Sequence, residues 1–181
     1  FWLKVYQLPE GEKNSKGRAI QNLIQIPPDD KVRAIVAVKD LEDKEFISSH
    51  FIVLCTRRGI IKKTLLEDFS RPRATGVNAI TIVEGDELLE AKMTDGKSEI
   101  MMAVKSGRAI RFHESKVRPT GRGAIGVTGI EVDNEQDEVV GMICVSGEDH
   151  SKTVLVVSEK GFGKRTFITD ETGEEVYRIT N

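Results

Sequence analysis

The chain has 181 residues, 39% of them hydrophobic and 31% charged, which suffices for one domain with a substantial core. With only 6% aromatics that core must rest on Val, Ile, Leu, Met and Ala. A formal net charge of −2 excludes a globally basic nucleic-acid binder but not a locally basic one, because binding depends on where cations cluster.

The segment FWLKVY (1–6) reads as the last strand of a repeating unit whose earlier strands lie outside the sequence. Phe1–Leu8 contains one cation and is too short for a signal peptide. No later apolar run approaches the ~20 residues of a membrane span, so a soluble, cytoplasmic protein is expected. KGRAIQNLI (16–24) then places a glycine before an apolar strand, and DDKVRAIVAV (29–38) an acidic turn before another. FIVLCTRRGIIKKT (51–64) is an apolar run, a turn carrying Gly59 and a second strand. The same plan returns in IMMAVKSGRAIRFH (100–113) and TVLVVSEKGFGKRT (153–166), with Gly107 and Gly161 following at spacings of 48 and 54. Each glycine has a cation four places on: Lys63, Arg111 and Arg165. TGVNAITI (75–82) and RGAIGVTGI (122–130) repeat the pattern of 16–24, while GDELLEAKM (85–93) and QDEVVGMICV (136–145) repeat that of 29–38. Asp30, Asp86 and Asp137 thereby head equivalent strands, 56 and 51 residues apart.

Short β-branched runs bounded by Gly, Asp or Asn predict strands. The one helical candidate is KKTLLEDF, with RFHESKV its equivalent. About four strands per unit of roughly 50 residues predicts an all-β, β-propeller-like domain of four-stranded antiparallel blades. Approximate units are 1–50, 51–98, 99–151 and 152–181 of a single domain. The ragged ends predict a partial set of units, because stacked repeats bury their faces only against neighbours. Leu54→Asp and Val156→Asp are each expected to unfold a blade.

Charge follows the repeat. Residues 56–82 hold Arg57, Arg58, Lys62, Lys63, Arg71 and Arg73 against Glu67 and Asp68, a local +4. Residues 105–122 hold Lys105, Arg108, Arg111, Lys116, Arg118 and Arg122 against Glu114, a local +5. Acids gather elsewhere, as at Glu131, Asp133, Glu135, Asp137 and Glu138. Ordinary surface solvation accounts for many of these charges but not for their locking to the repeat. A recurring band of cations suits a polyanion, whose phosphates it would neutralise without reading sequence. No recognition helix for base readout is visible.

FWLKVYQLPEG, GRAIQNLI, RRGIIKKTLLEDFSRPRATGVNAI, GDELLEA and EKGFGKRT together resemble the repeat motifs of the C-terminal domain of DNA gyrase A, in one order over nearly the whole chain. The resemblance implies a six-bladed β-pinwheel, in which blades exchange strands, of which this chain holds an incomplete set. It implies sequence-tolerant wrapping of double-stranded DNA around a basic perimeter, which supports negative supercoiling by the gyrase holoenzyme. It implies as partners the rest of gyrase A, together with gyrase B, in an A2B2 complex in the bacterial cytoplasm at the nucleoid, without membrane or small-molecule substrate. ATP and Mg2+ are expected elsewhere in that holoenzyme, and no cofactor in this domain. Carried over, the DNA-binding positions are Arg57, Arg58, Lys62, Lys63, Arg71, Arg73, Arg108, Arg111, Lys116, Arg118, Arg122, Lys160, Lys164 and Arg165. Strand alternation sends neighbours to opposite faces, so Lys62 and Lys63 should not share one role. Reversing Arg57, Arg58 and Lys63 together to Glu is expected to abolish DNA bending and spare the fold. The glutamine-, arginine- and glycine-rich box that the family uses for full wrapping is missing here and is expected upstream of Phe1. The alternatives are a propeller-like scaffold that binds an acidic protein and the C-terminal DNA-binding domain of the corresponding topoisomerase IV protein.

Catalysis is not expected. GRGAIG (121–126) matches a dinucleotide loop, but the residues after it read as a strand and not the required helix. His50, His113 and His150 are not at ligand spacing with cysteine, and Tyr6 and Tyr177 sit in no nucleophile context. Cys55 and Cys144 lie within apolar runs and are expected as buried thiols.

Overall fold

A computed structural model describes residues 1–27, 30–146, 151–169 and 176–177. Asp29, His150 and the residues after Thr169 apart from 176–177 lie outside the described residues.

The first hairpin pairs β1 (Phe51–Thr56) with β2 (Ile60–Leu65). Its turn closes with the Gly59 amide donating to the Thr56 carbonyl at 3.1 Å, and Gly59 takes φ +88°, which disfavours any residue with a Cβ. The second hairpin pairs β4 (Ser98–Val104) with β5 (Ala109–His113) and closes the same way, Gly107 to Val104 at 3.0 Å. Between and after the hairpins, β3 (Leu88–Thr94) adds to β1, and β7 (Val139–Ser146) adds to β4. Both additions shift register at the same point of the repeat, Cys55/Thr56 and Ala103/Val104.

An aspartate heads each added strand and holds it to its hairpin turn. Asp86 Oδ1 accepts from the Arg58 amide at 3.0 Å and the Glu87 amide at 2.8 Å. Asp137 Oδ1 accepts from the equivalent amides, Ser106 at 2.9 Å and Glu138 at 3.1 Å.

Beyond β5 the chain turns back toward the first sheet. There β6 (Val127–Thr128) pairs with β2, giving the order β3-β1-β2-β6, while the second sheet is β5-β4-β7. A strand from beyond the second hairpin thus completes the first sheet. The Gly129 amide donates to the Gly59 carbonyl at 2.8 Å, and a Cβ on Gly59 would lie 2.0 Å from the Ile130 carbonyl oxygen. At Gly107 no such neighbour lies within 4 Å.

Alternation along β1 explains its unbroken apolar run. Val53 and Cys55 face the second sheet and pack with Ile100, Met102, Phe112 and Val139. Ile52 and Leu54 face the other way, onto Leu66, Phe69, Trp2, Val36 and Val77. With both faces covered, an unpartnered polar side chain at either set of positions would be costly.

Several expectations need correction. KKTLLEDF is not a helix: β2 runs into a 3-10 turn at Leu66–Phe69, and Glu114–Lys116 forms the equivalent turn. The α-helix, α1, is Lys44–Ser49 instead, started by Asp43, whose carboxylate caps the amides of Glu45 and Phe46. Residues 16–24 and 75–82 carry no ladder, and neither do the described residues of 29–38. Residues 31–38 still alternate, with Ala34, Val36 and Val38 packed inward and Ile35 86% exposed. They lack a ladder because the described residues before them contain no hairpin equivalent to those that receive β3 and β7. The third hairpin, β8 (Thr153–Val157) with β9 (Gly163–Phe167), stands as a two-stranded sheet. Val156 there is 56% exposed, so Val156→Asp would bury no charge, whereas Leu54 is buried as expected.

Candidate nucleic-acid interface

The fourteen cations singled out from the sequence fall into three groups once the strands are in place. The first group is buried. Lys62 Nζ donates to Thr64 Oγ1 at 2.6 Å, to the Ala79 carbonyl at 2.7 Å and to the Arg122 carbonyl at 3.2 Å. Lys63 points the other way, donating to the Glu114 carbonyl at 2.8 Å and lying 3.4 Å from its carboxylate and 4.8 Å from the Phe51 ring centre. Glu114 is itself fully buried and also accepts from Thr94 Oγ1 and the Ser98 amide, each at 2.8 Å. Arg111, at the repeat position of Lys63, binds the Glu99 carboxylate and donates to the Tyr177 carbonyl at 2.6 Å. None of these three can meet a phosphate on the surface, because their heads are enclosed and already partnered. The triple reversal that includes Lys63 would place a second buried carboxylate beside Glu114 and unfold the domain.

The second group is paired at the surface. Arg57 bridges Glu138 at 2.7 Å and Glu87 at 3.5 Å, and Glu87 also holds Arg33. Arg108 reaches Asp133 at 2.8 Å and the Glu131 carbonyl at 3.0 Å. These arginines sit at the hairpin turns, where the acid-headed strands begin. A groove of about 340 Å3 there is lined by Arg57, Arg58, Glu87, Glu135, Asp137 and Glu138, so anions already line it. Burial works to raise the Asp137 pKa, but hydrogen bonds from the Ser106 hydroxyl and amide outweigh it and hold the carboxyl below its usual range.

The third group is open. Arg58, Arg71, Arg73, Lys116, Arg118, Lys160, Lys164 and Arg165 are exposed and Arg122 is half-buried. Among the described residues none of them has a carboxylate within ion-pair distance. Five of them belong to two segments that the strand exchange lays side by side. Thr81 donates through its amide to the Ala124 carbonyl at 3.1 Å and through its hydroxyl to the Gly123 carbonyl at 2.8 Å. The Thr120 amide donates to the Lys63 carbonyl at 2.8 Å. Arg73 and Arg122 consequently line one groove of about 370 Å3 together with Gly76, Val77, Asn78 and Gly123, with no acidic residue in the lining. Arg71 and Arg118 flank it in sequence. Asn78 and the backbone of this groove escaped the sequence reading; a loop that becomes a wall only through a neighbour's strand leaves no local signal.

GRGAIG (121–126) runs through this crossing segment into β6 and opens no helix. Among the described residues no three His, Cys, Asp or Glu side chains are grouped to hold a metal ion. His50 stacks on Phe46 at 4.0 Å, and His113 faces Ser115. Cys55 is fully buried and Cys144 half-buried, both free, and burial pushes each thiol up to about 12. Among the described residues no helix is long and apolar enough to cross a membrane.

Two hairpins that each receive an acid-headed strand, the first also completed by a strand from beyond the second, define a propeller-like domain of antiparallel sheets. The chain belongs to the family described as DNA gyrase C-terminal domain, β-propeller, which matches residues 1–39, 50–95, 98–146 and 152–166. It is 41% identical over 172 residues to the gyrase A protein of Chlamydia pneumoniae, covering 94% of this chain and 20% of that protein. It is 40% identical over 181 residues to the gyrase A protein of Staphylococcus aureus strain NCTC 8325, covering all of this chain and 19% of that one. The chain therefore spans about a fifth of the length of these curated relatives. Among solved structures, the C-terminal domain of DNA topoisomerase IV superposes with a TM-score of 0.76 at 25% identity, over 97% of this chain and 51% of that one. A DNA gyrase A C-terminal domain gives 0.70 at 28% identity, over 91% and 51%.

Proposed function

We propose that this chain binds double-stranded DNA without sequence readout, through the cationic surface formed where residues 70–82 meet residues 114–126. What supports this reading is the groove shared by Arg73 and Arg122, flanked by Arg71, Lys116 and Arg118 and free of acidic lining. Arginines that carry no carboxylate partner remain available to phosphate, and each contact releases condensed counterions. Lys160, Lys164 and Arg165, exposed on the third hairpin, are three further cations open to phosphate. Repetition around a propeller-like body would present successive cations to a duplex that bends to follow them. Acting within gyrase A, with gyrase B in an A2B2 assembly that supplies ATP and Mg2+ chemistry, such a bend would support negative supercoiling at the bacterial nucleoid.

A salt titration of binding to linear duplexes of mixed sequence and graded length tests the reading. Sequence-tolerant binding that grows with length is expected, with log K falling against log salt by about 0.9 per phosphate contacted. Salt-insensitive or absent binding would sink it and favour an acidic protein partner for the same surface.

A further inference from the structure

Lys62 is a buried cation whose three acceptors are all neutral oxygens. Its side chain is 1% exposed, and its ammonium donates to Thr64 on its own strand, to the Ala79 carbonyl and to the Arg122 carbonyl. The last two belong to the two segments that carry Arg73 and Arg122. An unpaired buried charge is costly, and a neutral side chain of similar length would fill the same space more cheaply. Lys63, next to it, shows the ordinary arrangement, an ammonium matched to the Glu114 carboxylate.

We infer that Lys62 is a positioning residue for the DNA surface: its ammonium clasps residue 79 and residue 122 from behind, fixes the Arg73–Arg122 groove, and adds its own positive field to it. This rests on the proposed DNA-binding reading. The charged groups on the elements around the ammonium are Glu67 and Asp68 in the turn after β2, Arg71 and Arg73 on one clasped segment, and Glu114, Lys116, Arg118 and Arg122 on the other, with Glu114 engaged by Lys63. Asp68 favours the charged form, but burial outweighs it and lowers the Lys62 pKa to about 8 from 10.5.

The sign of the pH dependence separates positioning from mere packing. Between about 8 and 10.5 the unfolded chain keeps the Lys62 proton and the folded chain releases it, so this group's contribution to stability rises with pH. DNA affinity should move the opposite way, falling as pH climbs through 8, because the clasp loses a donor and the groove a charge.

The test uses the full-length protein and a linear duplex of mixed sequence at fixed salt. Wild type should lose affinity by roughly threefold or more between pH 7 and 9, the scale of one unit charge acting on nearby phosphates through high dielectric. Lys62→Met should bind that much more weakly at pH 7 and show a flat profile, while Lys62→Arg, charged throughout, should bind tightly and flatly. A wild-type profile that is flat, or Lys62→Met binding equal to wild type, overturns the inference. Should Lys62→Met not fold, the wild-type profile against that of Lys62→Arg decides. Arg73→Gln with Arg122→Gln is the companion: if that pair binds normally, the DNA surface itself is misplaced. If it binds weakly while the Lys62 results stay flat, only the role of Lys62 falls.

Discussion

The two ends of the first hairpin carry the same kind of side chain and put it to opposite uses. At the turn, Arg57 meets Glu87 and Glu138 and lies in a groove lined with further acids. At the far end, past the 3-10 turn that follows β2, Arg71 and Arg73 have no carboxylate within ion-pair distance among the described residues, and Arg73 shares an acid-free groove with Arg122. The difference is set by the acid-headed strands, β3 and β7, which begin beside a hairpin turn and not beside the loops beyond it. Local positive charge is therefore a poor guide to an anion surface. What counts is the cation left after the repeat's own carboxylates have taken theirs.

Between the two ends lies the buried pair of Lys63 and Glu114, and breaking it should cost most. Lys63→Met leaves Glu114 as an uncompensated charge at zero exposure, for an expected loss of about 3–5 kcal/mol in denaturant unfolding. Adding Glu114→Gln removes that charge while keeping an acceptor for the Ser98 amide, so the double variant should regain most of the loss. A Lys63→Met variant as stable as wild type would return Lys63 to the surface group.

Reversing the open cations comes next. Arg73→Glu with Arg122→Glu should reduce duplex affinity at least tenfold, or about 1.4 kcal/mol, and shrink the salt slope by about 1.8. Arg57→Gln, at the paired end, should leave affinity within about twofold, because its guanidinium is already engaged by two carboxylates. Equal losses from both ends would erase the contrast between them.

Much of this fold was legible in the sequence. The hairpins follow from apolar runs around Gly59, Gly107 and Gly161, and the family from motifs kept in one order. The aspartates Asp86 and Asp137 were legible as repeat positions, though their bonds to the turn amides were not. What misled was the cation four places after each glycine. A position locked to the repeat marks a constraint, and at Lys63 and Arg111 the constraint is a buried bond to Glu114 or Glu99, not an outer contact. Arg165, the third of the set, is exposed. Strand exchange was implied by the resemblance alone; the residues that make it were hidden because the ladder joins only Val127 and Thr128 to β2, far from it in sequence. The helix α1 was announced by Asp43 ahead of Glu45 but is only six residues long, too short for its periodicity to speak.

The smallest effect probes the turn end itself, where the residue before the glycine is Arg58 in the first hairpin and Ser106 in the second. In the second, Ser106 gives Asp137 both its amide, at 2.9 Å, and its hydroxyl, at 2.9 Å to Oδ2. In the first, Arg58 gives Asp86 its amide alone, and Asp86 Oδ2 is buried without a partner among the described residues. Arg58→Ser should supply the missing donor and raise stability by about 1 kcal/mol, a Tm gain of roughly 2–4 °C for a domain of this size. If the turn end takes no part in DNA binding, that gain comes with an unchanged salt slope. A slope smaller by about 0.9 would instead mean that Arg58 touches a phosphate, and that the first hairpin gives up a hydrogen bond to keep an arginine on the DNA.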